Sequence, residues 1–135
     1  MHGHNFFELA YITGGTAEHT LETEVKTISA GDYFIVDYGC LHGFQNCKNL
    51  TLINCLFLPE TVDETLQGCR SFSQLLQGCL LKYYRMSLGK ARLARVSHDR
   101  DGQVGRLMQE MLLEYQEQKV GCYPLLRLKL LEILL

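Results

Sequence analysis

HGHNFFELAYITGG, His2 to Gly15, is the stretch that decides how this 135-residue chain is read. Phe6 to Ile12 reads as a β-strand, Thr13-Gly14-Gly15-Thr16 as a hairpin turn, and Ala17 to Leu21 as the returning strand. Residues two apart on a strand face the same side, so His2, His4 and Glu8 share one face. Same-face neighbours rise roughly 6–7 Å along a strand, close enough for their side chains to converge on one ion. A second stretch, GDYFIVDYGCLHGFQN from Gly31 to Asn46, supplies His42 after a glycine-flanked turn, placed to return on a neighbouring strand. Three imidazoles and a carboxylate suit a divalent borderline metal such as Zn, Ni, Fe or Mn, with coordination positions left open for water or a ligand.

Working outward, the first sixty residues read as β throughout. Val25–Ile28 and Tyr33–Val36 are short strands joined by Ser29-Ala30-Gly31-Asp32. After the turn Asp37-Tyr38-Gly39-Cys40 come His42–Gln45 and the apolar run Leu50–Leu58, which suits a strand buried on both faces. Many short strands at close spacing point to a small barrel or sandwich. Beyond Pro59 the expectation is short helical turns at Glu60–Gln67 and Arg70–Gln77, then a weak strand at Leu88–Val96. From Asp99 the period turns helical: Val104, Leu107, Met108, Met111, Leu112 and Tyr115 form one face. Ser97 or Asp99 can cap the start of this helix, Gly121 suits its end, and Pro124 suits the first turn of a second helix. That second helix, LLRLKLLEILL from Leu125 to Leu135, is apolar on most sides and stops without a cap, as a fragment would.

Composition excludes several classes. Hydrophobic residues make up 47% of the chain, which excludes disorder. No apolar run approaches the ~18 residues of a transmembrane helix, and the polar start is not a signal peptide. The net charge of −2 divides unevenly, with a basic excess after residue 60 and a basic run from Lys82 to Arg100 that reads as a solvated face. Neither part is basic enough to neutralise a row of phosphates, so the chain alone is a poor DNA binder. The six cysteines form no CxxC pair, which fits free thiols in a reducing cytoplasm.

The two quoted stretches resemble the cupin motifs. The first fits HxH-x3-E-x6-G at His2, His4, Glu8 and Gly15. The second fits G-x5-P-x-G-x2-H-x3-N at Gly31, Gly39, His42 and Asn46, with Asp37 where the motif has proline. That departure relaxes a turn and removes no ligand. With a helix pair after the barrel, essentially the whole chain resembles the N-terminal cupin domain of AraC-type transcription regulators. The resemblance implies a mainly β fold with C-terminal α, a double-stranded β-helix or jelly-roll barrel followed by an antiparallel helix pair.

Its domain organisation would be an effector-binding barrel over residues 1–96, with short helical insertions, and a dimerisation helix pair over 97–135. The resemblance further implies a small-molecule effector, a cytoplasmic homodimer, no enzymatic activity, and contact with DNA only through a helix-turn-helix domain beyond Leu135. Phe6, Ala10, Ile12 and Phe44 share the inward parity of the ligand set. They either line an effector pocket or fill a small barrel. Leu107, Met111, Leu125, Leu128, Leu131 and Leu135 are the candidate dimer interface, because a helix apolar on most sides must be buried on most sides. The same four ligands would also serve the alternative, a metal-dependent cupin dioxygenase or isomerase, although no separate general base stands beside them. His19, among polar neighbours, reads as solvated, and His98 as part of a helix cap.

Overall fold

In the computed structural model, the strand that starts at Phe7 does not stop at the two glycines. The structure describes residues 6–37, 39–62, 68, 71 and 96–134. Strand β1 runs unbroken over Phe7–Leu21 and the chain turns at Glu22-Thr23 into β2, Glu24–Ser29. β3 spans Asp32–Val36, β4 His42–Phe57, and β5 the short Ser97–His98. The hairpin expected at Thr13–Thr16 is therefore a bend within one strand. Likewise His42–Gln45 and Leu50–Leu58, expected as two strands, are the ends of one.

All the pairings are antiparallel. β1 is central: β4 follows one edge along its whole length, while β3 pairs with Glu8–Tyr11 and β2 with Thr16–Leu21 on the other. β5 extends the β3 side through Asp32↔His98 and Tyr33↔Ser97. The β1–β4 register shifts three times between Ile12 and Glu18, and each shift is a bulge that adds twist and curls the sheet. Gly15 sits at φ 75°, where a Cβ would collide with the carbonyl oxygens of Lys48 and Asn49. Only glycine lets the two backbones cross that closely. On β4, Asn46 and Asn49 absorb the matching left-handed positions, each at φ 53°.

Both faces of the curled sheet are packed. On the inner face Ala10, Ile12, Ala17, Ile28, Phe34 and Val36 form one buried cluster, joined by Phe44, Leu50 and Leu52. On the outer face Phe7, Leu9 and Phe57 form a second cluster with Met108, Met111 and Leu130 from two helices. Leu50–Leu58 was expected to be buried on both faces. Instead Ile53, Cys55 and Phe57 pack toward the helices, while Asn54 and Leu56 on the opposite face are exposed.

The helices are α1, a single turn at Pro59–Val62, then α2, Gln103–Glu117, and α3, Cys122–Leu134, the last starting two residues before Pro124. Most of the helical turns expected over 60–77 and nearly all of the strand expected over 88–96 lie outside the described residues. α2 and α3 are tied by Lys129 Nζ to Glu110 Oε2 at 2.8 Å, with Arg106 on the other Glu110 oxygen at 3.0 Å. Among the described residues no helix is long and apolar enough to cross a membrane.

The start of α2 is fastened to the sheet. The Asp99 carboxylate accepts the N–H groups of Val104 at 3.2 Å and Gly105 at 2.8 Å, capping the helix from outside its first turn. The Tyr11 hydroxyl, reaching out from β1, donates to the same carboxylate at 2.8 Å. The Asp99 N–H donates to the Gly31 carbonyl at 2.8 Å, and His98 Nδ1 meets Asp32 Oδ1 at 2.8 Å. Asp99 thus caps as the sequence suggested, and His98 belongs to that junction.

Candidate functional site

The inward positions of β1 change parity along the strand. Before the bulges they are the even residues Glu8, Ala10 and Ile12; after them they are the odd residues Ala17 and His19. An irregular stretch of ladder thus turns His19, which strict alternation from Glu8 would place outside, toward the interior. It is only 3% exposed, against the expectation of a solvated side chain.

Among the described residues, the buried polar or charged side chains are Glu8, His19 and His42. They form one line. His42, at the first position of β4 and opposite Leu21, brings Nε2 to 3.2 Å from Glu8 Oε2. Its Nδ1 lies 3.5 Å from Nε2 of His19. The His19 ring stacks on Phe34 from β3 at a centroid distance of 4.2 Å and is flanked by Phe44 of β4 at 5.1 Å. This apolar enclosure pushes His19 down to about 4, because burial penalises the charged ring, and His19 is neutral at ordinary pH.

Of the four residues expected to hold a metal, Glu8 and His42 come together as the motif spacing requires, whereas His2 and His4 lie outside the described residues. Among the described residues, no group of three or more His, Cys, Asp or Glu side chains is arranged to hold an ion. The Glu8–His42 separation nonetheless fits two donors of one ion. Bonds of about 2.0–2.1 Å at roughly 90–110° place cis donors about 2.8–3.4 Å apart.

Of the candidate pocket residues, Ala10 and Ile12 are fully buried in the inner cluster and Phe44 packs against it, so they fill the curled sheet. Phe6, just before β1, is half-buried. A hollow of about 20 Å³ opens beside His19, lined by Leu21, Glu24, Lys26, Phe34 and Val96. That holds a water molecule rather than an organic ligand. Cys55 lies under the helices with its thiol pushed up to about 11 by burial, so it is a packing residue and no nucleophile.

The expected interface residues separate into two groups. Leu107 and Met111 are buried within the chain, Met111 in the helix–sheet core, because the same stripe of α2 covers the sheet. Leu131 is partly buried against that core. Leu125 and Leu128 remain 41% and 57% exposed, and Tyr123 beside them 66%, while Leu135 lies outside the described residues.

The missed residue, His19, left one signal in the sequence. It follows a Gly-Gly pair, and a glycine inside a strand pattern marks a bulge as readily as a turn.

Comparison with curated proteins gives no match. The family of AraC-like ligand binding domains matches over residues 1–134, nearly the whole length, and covers both the curled sheet and the helix pair. The chain belongs to the AraC-like ligand binding domain family, whose members are regulatory rather than catalytic.

Proposed function

We propose that this chain senses a small polar effector inside its curled sheet and carries, on its C-terminal helices, the dimerisation surface of an AraC-type transcription regulator. The observation that carries the reading is the line Glu8, His42, His19. It concentrates the buried hydrogen-bonding capacity of the described residues on one inward strip of an otherwise apolar interior, as small-molecule sites do. Glu8 and His42 orient the ligand's polar groups, and Phe34 and Phe44 hold the His19 ring in place beside them.

A divalent ion (Zn, Ni, Fe or Mn) would be held at the same place by Glu8 and His42, with His2 and His4 as the further ligands the sequence motif offers. When bound, the ion would polarise an oxygen of the effector as a Lewis acid. The exposed Leu125 and Leu128 form the centre of the proposed homodimer contact, with Leu131 on the same helix. An effector that prefers one arrangement of the sheet shifts the population of helix arrangements by its difference in affinity. A helix-turn-helix domain beyond Leu135 would read that shift as half-site spacing on DNA.

Sedimentation equilibrium on the wild type and Leu128→Asp tests the dimer, alongside a thermal-shift screen of small polar metabolites on both proteins. Burying a leucine contributes about 1.5–3 kcal/mol. Losing one from each protomer is expected to weaken the dimer about 100-fold or more. Effector-induced stabilisation should survive in Leu128→Asp and disappear in Glu8→Gln. A wild type that stays monomeric at hundreds of micromolar, or a ligand shift unaffected by Glu8→Gln, would overturn the reading.

A further inference from the structure

We propose that His19 is a working member of this site: a positioning residue that serves His42 Nδ1 as donor or acceptor, according to what Glu8 and His42 hold. The inference deepens the binding-site reading and rests on it. Three observations carry it. His19 lies outside the motif spacing that selected Glu8 and His42, yet the bulged strand turns it inward. Its Nε2 is the ring atom facing His42 Nδ1, at 3.5 Å. The stack on Phe34 and the flank of Phe44 fix the ring plane, so the contact does not depend on a mobile side chain.

The chemistry follows from the two-sided nature of a neutral imidazole, in which one ring nitrogen donates and the other accepts. With the His42 proton on Nε2, 3.2 Å from the Glu8 carboxylate, His42 Nδ1 carries a lone pair and needs a donor, which His19 Nε2–H supplies. With a cation on Glu8 and His42, the lone pair must be on His42 Nε2. His42 Nδ1–H then needs an acceptor, which the other tautomer of His19 supplies. Between the two states His42 loses the proton on Nε2 and gains one on Nδ1. His19 loses its Nε2 proton and gains one on Nδ1, so the pair's total is unchanged. A partner that could only donate, or only accept, would favour one of the two ligand types.

The test uses the full 135-residue chain, with zinc as the probe and the imidazole 15N signals of His42 as a readout independent of it. His19→Phe keeps the stacking shape and removes both capacities; His19→Gln keeps both, because an amide can rotate between donor and acceptor. His19→Phe is expected to shift His42 Nδ1 and to weaken zinc about 10–100-fold, the usual cost of losing a group that orients a ligand. His19→Gln is expected to restore both. A wild type that binds no zinc while the His42 signals still follow the substitutions removes the metal and leaves His19 as the positioning residue. Should His19→Phe fail to fold, the wild-type and His19→Gln spectra decide. A His42 Nδ1 signal typical of an unbonded nitrogen in the wild type or in His19→Gln, or one that is the same in wild type and in folded His19→Phe, would overturn the proposal.

Discussion

Replacing Tyr11 by phenylalanine removes one oxygen and tests whether the first turn of α2 is held to the sheet through Asp99. The lost bond is a 2.8 Å hydrogen bond onto a carboxylate that also takes the N–H groups of Val104 and Gly105. A hydrogen bond to a charged group contributes about 1.5–3 kcal/mol. The junction is only partly buried and Asp99 keeps its two helix donors, so Tyr11→Phe is expected to cost about 1–2 kcal/mol. Asp99→Ala strips all three donors at once. The helix-cap loss of about 0.5–2 kcal/mol adds to about 1–2 kcal/mol for the stranded phenol, giving about 1.5–4 kcal/mol. The two changes remove the same bond, so the double variant should fall short of additivity by about 1 kcal/mol or more.

Urea unfolding followed by circular dichroism measures all four corners of this cycle. Strict additivity, or a Tyr11→Phe cost below about 0.3 kcal/mol, would refute the junction. The pH dependence carries the same signature. Burial alone would raise the Asp99 carboxyl, but the bonds from Gly105, Tyr11 and Val104 outweigh it and hold the carboxyl below its usual range. Its folded pKa being depressed, this contribution is complete above the ordinary carboxyl value near ~4 and is lost as pH falls through the lower folded value. The Tyr11 phenol is pushed up to about 12 by burial and by Asp99, so its contribution is lost as pH rises from about 10 to about 12. Asp99→Asn should flatten the acid limb, and Tyr11→Phe the alkaline one.

Two further outcomes follow from the geometry. Gly15→Ala puts a methyl group onto the Lys48 and Asn49 carbonyls at a left-handed position; it is expected to cost about 3 kcal/mol or more in urea unfolding, and a loss under 1 kcal/mol would show that the crossing can open. Cys55, with its thiol pushed up to about 11, should react with a disulfide reagent at pH 7 at least about 100-fold more slowly than the exposed Cys47; labelling followed by peptide mapping compares the two, and similar rates would contradict the burial of Cys55.

Much of the fold was legible because side-chain periodicity survives in single elements. The alternation of β1 before its bulges, the motif spacing that pairs Glu8 with His42, and the stripe of α2 all read directly from the chain. What was not legible depends on partners distant in sequence. Gly14-Gly15 has the composition of a turn, and only β4 running alongside makes it a bend, with Asn46 and Asn49 taking up the mismatch. Strict alternation before that bend then gives the wrong side for His19. Leu107 and Met111 were legible as apolar, but their packing within their own chain was not, since a stripe does not say which surface it covers. The continuity of β4 was hidden by the polar run Gln45–Asn49, which bulges and is solvent-exposed.

The partition between the inner apolar cluster and the helical layer is a single polypeptide thick. Ala10 and Ile12 look inward while Leu9 and Tyr11, their immediate neighbours, grip the helices or the loop that launches them. A molecule leaning on the inner wall therefore leans on the same peptide groups that carry the outer one. Genetic screens over this segment would return pleiotropic alleles, in which altered ligand response and altered helix docking arrive together.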